Sequence, residues 1–434
     1  MKPSIGTKKL AIMRLGPATL FTFLTLALAA IPLAAETNWA QTYHDSAHTG
    51  YNSQETTLGT GNVASLQLLW ATGVAGGVTN FAVDNGVVFA TGQSNNLVAL
   101  NASTGAQLWN ANTGGNPGDR PVATGNGLVF TQCSLPNNAG GAICAYKQST
   151  GKMAWHWASP CNCLPPSSVS APLVYADGVV YFGYSSGGTT STTGLYAVEA
   201  STGKLLWTSL SEFNNGWGVS GAAISGSNVY LEANNYGTGA IYSLASPTGD
   251  QNWTTPVSLG NSNSAVSVAG GVVYTSGVWT GTNATLYAMN ATTGALLWSY
   301  VYATENWCGS EGFPSPPAIA KGVVYFQGVD GNLYALKANK GTLLWADTPN
   351  SQPCTGTFNS SPSLANGVLY INGGPDGPNT SAYNAATGAE LWSSPSSHGT
   401  LQMPPVVVNG ILYIASPGDT ICESICAYSV PANE

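Results

Sequence analysis

The sequence predicts an all-β fold, an eight-bladed β-propeller of four-stranded antiparallel blades closed by the N-terminal strand completing the last blade. Three observations lead there: a Trp-ending motif recurring every 45–52 residues, a strand element of the same period, and complementary gaps in the two series at the chain ends. Composition agrees. Charged residues are only 7%, while 53 Gly, 13 Trp and 20 Tyr suit short strands joined by tight turns better than helices.

The first series reads Thr-Gly-x-x-x-Trp. It begins with Thr104, Gly105 and Trp109 and returns at Trp155, Trp207, Trp253 and Trp298. Lys340, Gly341 and Trp345 form a variant, and Thr387, Gly388 and Trp392 end the series. The second series is a Gly, two apolar residues and an aromatic: Gly86–Phe89, Gly127–Phe130, Gly178–Tyr181, Gly271–Tyr274, Gly322–Tyr325 and Gly367–Tyr370, with Ser227–Tyr230 a degenerate copy. Each marks a turn feeding a buried strand. Gly410–Tyr413 is an eighth copy with no Trp motif after it, and Leu66–Trp70 resembles an outer strand with no strand element before it. Pairing these two halves gives eight blades and removes the free sheet edges.

Blade six shows the expected pattern. Pro317–Ala320 is the inner strand and Val323–Gln327 the second; Asp330-Gly331 makes the hairpin, Leu333–Lys337 is third, and the Lys340-Gly341 turn leads to an outer strand ending at Trp345. Gly at that turn supplies positive φ. Trp70, Trp109, Trp155, Trp207, Trp253, Trp298, Trp345 and Trp392 are read as structural docking residues packed against the neighbouring blade. Residues repeated in every blade serve the scaffold, so function belongs where the blades differ.

Residues 1–35 read as a signal peptide: Lys2, Lys8, Lys9 and Arg14 form a basic front, Leu20–Ala30 an apolar stretch, and Ala34-Ala35 precede the cut before Glu36. Residues 36–434 are then one exported domain, periplasmic or extracellular, without a transmembrane segment and expected to be a monomer. Behind the leader, 7 basic against 19 acidic residues leave a formal charge of −12. So acidic a chain repels phosphate backbones, which argues against nucleic-acid binding.

The repeats resemble the pyrroloquinoline quinone (PQQ) enzyme repeat family, whose docking motif runs Ala, Asp two positions on, Thr-Gly, then Trp. The sequence carries Ala99, Asn101, Thr104, Gly105 and Trp109; Ala288, Asn290, Thr293, Gly294 and Trp298; and Ala382, Asn384, Thr387, Gly388 and Trp392. The Asp position is never Asp; Lys147, Glu199, Ala245 and Lys337 also occupy it, and Ser243 replaces one leading Ala. The resemblance covers nearly all of residues 39–434 and implies the eight-bladed quinoprotein-dehydrogenase-like propeller. The family includes dehydrogenases that use PQQ with Ca²⁺, a lipoprotein of outer-membrane assembly, and exported propellers without cofactor. The blades here are near minimal length, no stretch places the family's Ca²⁺ ligands or catalytic Asp, and no Cys-x-x-Cys-His haem attachment occurs.

Chemistry is expected on the loops entering the inner strands, which converge near the axis on one face. These are Cys161–Pro166, Glu212–Trp217, Glu305–Glu311 and Cys354–Asn359. Trp217, Glu305, Asn306, Trp307, Glu311 and Asn359 are the ligand-binding candidates, since carboxylates, amides and indoles together suit a cation, a planar cofactor or a sugar. Catalytic and metal residues stay unassigned: the four His lack ligand spacing, and Asp330 reads as a turn residue.

Eight Cys in an exported chain read as disulfides. Cys133–Cys144 and Cys422–Cys426 are placed to bridge adjacent strands in blades two and eight, and Cys308–Cys354 to staple equivalent loops. Cys161 and Cys163 either close a small ring or stay reduced. The favoured function is a non-enzymatic binding scaffold for a protein, glycan or envelope component. The alternative is a PQQ- and Ca²⁺-dependent dehydrogenase of alcohols or sugars.

Overall fold

The computed structural model describes residues 38–114, 121–135, 142–158, 168–169, 172–185, 193–209, 218–235, 237–260, 265–277, 283–303, 315–328, 330–347, 360–373, 379–395, 403–415 and 422–431. They form eight sheets following one another along the chain, each blade antiparallel, with Tyr51–Asn52 of the N-terminal segment added parallel to the inner strand of blade seven. Blade six is Ala318–Ala320, Val323–Gln327, Leu333–Lys337 and Leu343–Asp347, so its outer strand runs two residues past Trp345. The ring closes as the sequence requires. Gln67–Thr72 pairs antiparallel with Ile425–Ser429, completing a sheet whose other strands are Ile411–Ala415 and Val406–Val408.

One cross-strand row explains the repeat. The aromatic of the second strand, a small residue of the third and the Trp of the outer strand lie side by side, as Tyr325, Ala335 and Trp345 do. The small residue is Ala in seven blades and Ser243 in blade four. It leaves room for the flanking rings to meet over it. In seven blades their centroids lie 5.8–6.1 Å apart, within the range of favourable aromatic pairs.

Every outer strand also carries a β-bulge directly before its Trp. Two residues, such as Leu344 and Trp345, face the interval between Ala335 and Leu336; the other seven sheets shift register at the same place. A bulge bends and twists a strand, so it re-aims the side chain beside it. Here it turns the indole onto the following blade. It also spoils a flat edge on which Leu69, Leu108, Leu206, Leu297 and Leu344 are exposed.

Each re-aimed indole lands on the Thr-Gly turn of the next blade. A Cβ on Gly105, Gly151, Gly203, Gly249, Gly294, Gly341 or Gly388 would stand 2.5–2.8 Å from Cε3 of the preceding blade's Trp. The glycine is thus required twice, for its positive φ and for the indole above it. The indole Nε1–H donates to a carbonyl of the same turn, at 2.7–3.1 Å across seven blade boundaries. Trp392 is the exception, because blade eight draws its outer strand from the other end of the chain and has no such turn. Trp392 meets Tyr428 at 5.3 Å instead, beside Val63 and Leu66 of the incoming N-terminal segment.

The turn chemistry explains the Asn copies of the family motif's Asp position. Asn101 and Asn290 accept backbone N–H groups of the turn through Oδ1, as an Asp carboxylate does. Of the expected disulfides, Cys133–Cys144 joins the second and third strands of blade two. Cys422–Cys426 also forms, but it ties the turn before the third strand to that strand rather than bridging two strands, since Cys422 precedes Ile425–Ser429 by three residues. Cys161, Cys163, Cys308 and Cys354 lie outside the described residues.

The segment before the closing strand, residues 38–55, is an arm that threads the inner ring and touches every blade. Trp39 exchanges both backbone bonds with Val83 of blade one. Ala40, Ser46, Ala47, Thr49 and Gly50 offer their carbonyls to Thr124, Ile224, Val268, Ile319 and Leu364 of blades two, four, five, six and seven, at 2.6–2.8 Å. Gln41 Oε1 accepts from Tyr175 N in blade three, and Asn52 Nδ2 donates to Val407 O in blade eight. These strands are sheet edges facing the axis, and the arm receives a backbone N–H from each of blades one to seven and gives an amide N–H to a carbonyl of blade eight.

Replacing Trp298 by Ala should cost about 3–5 kcal/mol of unfolding free energy in denaturant melts. Gly322 and Gly341 separate the two demands on glycine: both have positive φ, yet a Cβ on Gly322 meets nothing within 4 Å. Gly322→Ala should cost about 1–2 kcal/mol for its left-handed backbone alone. Gly341→Ala should cost clearly more, and equal losses would show that the indole contact contributes nothing.

Candidate functional site

Strand direction divides the propeller into two ends. The first-to-second turns, the Thr-Gly turns and the arm gather at one end. The connections between blades and the second-to-third turns gather at the other, where the sequence places its candidates. Trp217, Glu305, Asn306, Trp307, Glu311 and Asn359 all lie outside the described residues. The strands that launch and receive them are described, and their ends carry a polar shell.

Two carboxyl groups stand out in that shell. Glu232, on Asn228–Asn235 of blade four, is 1% exposed. Its Oε2 accepts from Thr275 Oγ1 of blade five at 3.1 Å, and its backbone is pinned on both sides by Ser220. Asp330 is the turn residue expected, but its environment is more than a turn. Tyr334 OH donates to Asp330 Oδ2 at 2.6 Å, and Asn332 donates to both carboxylate oxygens. Burial pushes the Asp330 carboxyl above its ordinary range despite these bonds, and burial together with Asp330 pushes the Tyr334 phenol up. Tyr302 of blade five stands beside this group, with its hydroxyl 2.9 Å from Ser276 Oγ.

Amides continue the shell. Gln327 Nε2 donates to Gly373 O of the next blade, and Asn372 Nδ2 to Met403 O. Asn372 Oδ1 also accepts from Thr380 Oγ1. Thr91, Glu232, Ser276, Gln327 and Asn372 hold one position, four residues into the second strand of their blades. Aligning the second strands across the repeats would have exposed this polar position, Glu232 included. The aromatic two residues earlier drew attention to itself instead.

The arrangement offers hydrogen-bonding groups of both polarities beneath the loops. A Ca²⁺ ion takes about six to eight oxygen ligands. Glu232 and Asp330 stand on different blades, Glu232 Oε2 accepting from the Thr275 hydroxyl and Asp330 from Tyr334 and Asn332. Among the described residues no group of three His, Cys, Asp or Glu is placed to hold a metal ion. The described shell does not by itself compose the Ca²⁺ site of a quinoprotein dehydrogenase. Among those residues, too, no helix is long and apolar enough to cross a membrane.

Comparison with known proteins sets this geometry in a family. No curated protein matches the chain by sequence. A quinohemoprotein alcohol dehydrogenase from Pseudomonas putida HK5 superposes with a TM-score of 0.69 at 14% identity, over 92% of this chain and 82% of its own. BamB from Moraxella catarrhalis superposes at 0.59 with 16% identity, over 84% and 99%. A europium-containing methanol dehydrogenase superposes at 0.65 with 13% identity, over 91% and 98%. At such identities the likeness is one of fold. The family model described as outer membrane protein assembly factor BamB matches residues 56–207 and 191–422. With most of its length so matched, and with PQQ-type repeats building all eight blades, the chain belongs to the BamB family of propellers.

Proposed function

We propose that the protein is an exported binding scaffold that holds a protein, glycan or envelope component at its loop-bearing end. One observation carries this reading. The repeated Trp, Gly and small residues are engaged in joining blades, and the arm occupies the ring at the opposite end. The side chains that vary between blades therefore collect at the loop end, over a shell of amides, hydroxyls and carboxyls. Such a surface suits polar recognition, and Trp217, Glu305, Asn306, Trp307, Glu311 and Asn359 are its proposed contacts. The family description, an outer membrane protein assembly factor, supports an envelope partner. Two disulfides suit an oxidising compartment, in keeping with export.

A second reading, a PQQ- and Ca²⁺-dependent dehydrogenase of alcohols or sugars, is favoured by the buried Glu232 and half-buried Asp330 carboxyls at the same end. One of them would hold the cation or take the substrate proton.

Adding PQQ and Ca²⁺ to the purified protein separates the two. The scaffold reading expects no cofactor absorbance and no dye reduction with alcohols or sugars; either signal would replace it with the dehydrogenase. It also expects a photoreactive side chain at Asn283, exposed at the loop end, to capture a partner in the intact envelope. One at Thr202, exposed at the arm end, should capture none.

A further inference from the structure

The arm that threads the ring carries two histidines and an aspartate within five residues, and the chemistry of its turn is unlike that of any blade. His48 is 1% exposed. Its Nδ1 donates to Val266 O of blade five at 3.0 Å, and its ring lies edge-on to Tyr43 at 5.0 Å. A neutral imidazole fits this place. A protonated one carries a second N–H and a charge into the centre of the ring.

The nearby carboxylate cannot readily be diverted to receive that charge. Asp45 Oδ1 accepts from Ala47 N and Thr49 N, while Oδ2 accepts from Thr49 Oγ1 and lies 3.4 Å from His44 Nδ1. The inner strands packed around the arm in blades four to seven, Ala223–Ser225, Ser267–Ala269, Ala318–Ala320 and Ser363–Ala365, bear no titratable side chain. The groups facing His48 are Asp45, with His44 behind it, and the Tyr43 phenol.

We infer that the arm is an acid-released latch: a proton taken up by His48 drives the arm out of the inner ring while the eight blades stay folded. The difference in attachment makes this order of events reasonable. The arm holds most blades by one or two hydrogen bonds, whereas each blade is held by continuous ladders and by the indole contacts. Local opening starts where such ties are fewest.

The direction in pH follows from burial. Burial pushes the His48 imidazole down to about 4, against the attraction of Asp45 and the bond to Val266. Released, the same ring titrates near its ordinary value of about 6.5. The seated arm is therefore favoured above pH 6.5, and that advantage is lost as pH falls from 6.5 to 4. Burial alone would raise the Asp45 carboxyl, but bonds from His44 and Thr49 hold it below its usual range, so it stays ionised through this window. The Tyr43 phenol, raised to about 12 by burial, stays neutral.

Hydrogen exchange on the purified protein, corrected for intrinsic rates, tests the latch. Between pH 7.5 and pH 4, protection of residues 38–55 should fall on the order of 100-fold, while Leu333–Lys337 keeps its own. His48→Asn retains an amide donor for Val266 O and takes up no proton, so its arm should stay protected at pH 4. Simultaneous loss of protection in arm and blades, an arm unmoved at pH 4, or acid release in His48→Asn equal to that of the natural protein would each overturn the inference. If that variant does not fold, the imidazole of the natural protein is titrated by NMR. Arm release that tracks His48 protonation supports the latch, and protonation without release refutes it.

Discussion

Seven of the eight blade boundaries rest on an indole laid against a glycine, with its N–H given to a carbonyl of the same turn. The interaction is small in extent but demanding in its prerequisites. It needs a residue without Cβ, a turn of fixed shape around it, and a Trp pointed away from its own sheet. A bulge supplies the last of these in every blade. The second-strand aromatic braces the indole from behind across a small residue. The motif is thus one mechanical part, and the sheets follow from repeating it. Where the part is missing, at Trp392, the ring is closed by a chain end and the indole finds Tyr428 and the incoming segment instead.

The arm answers a different need. A ring of blades leaves eight strand edges facing the axis, and edges in a narrow channel cannot all be served by water. A short extended segment with carbonyls at irregular intervals suits them, because seven of the blades present a backbone N–H of the inner strand to it. This role leaves little trace in residue type. Backbone carbonyls do most of the work, and every residue has one.

The division of the propeller into two ends follows from these contacts. Turns that hold blades together, and the arm, occupy one end. Connections free of that duty leave from the other. Polar residues accumulate beneath them, and Glu232, Asp330, Gln327 and Asn372 make bonds that stiffen the rim without closing it. Selection for a partner or ligand is free to act there without disturbing the indole contacts.

The sequence by itself determined the blade count, the strand order, the N-terminal closure and the Cys133–Cys144 pairing. Each of these is written in a period or a spacing, and eight repetitions make a period hard to mistake. It also marked the docking tryptophans, because bulky aromatics at a fixed interval must be buried together. Only the tertiary structure decided what the motif's residues do to one another: that the leading Ala is small to let two rings meet, that the bulge aims the indole, and that the glycine is bare because the neighbour's Trp lies on it. Those facts join residues from different strands and different blades, and pattern along one chain does not encode distance across a boundary. For the same reason Glu232 passed unnoticed and His48 read only as one of four histidines without metal-ligand spacing, since a carboxyl or imidazole becomes chemically distinct only when neighbours remove it from water.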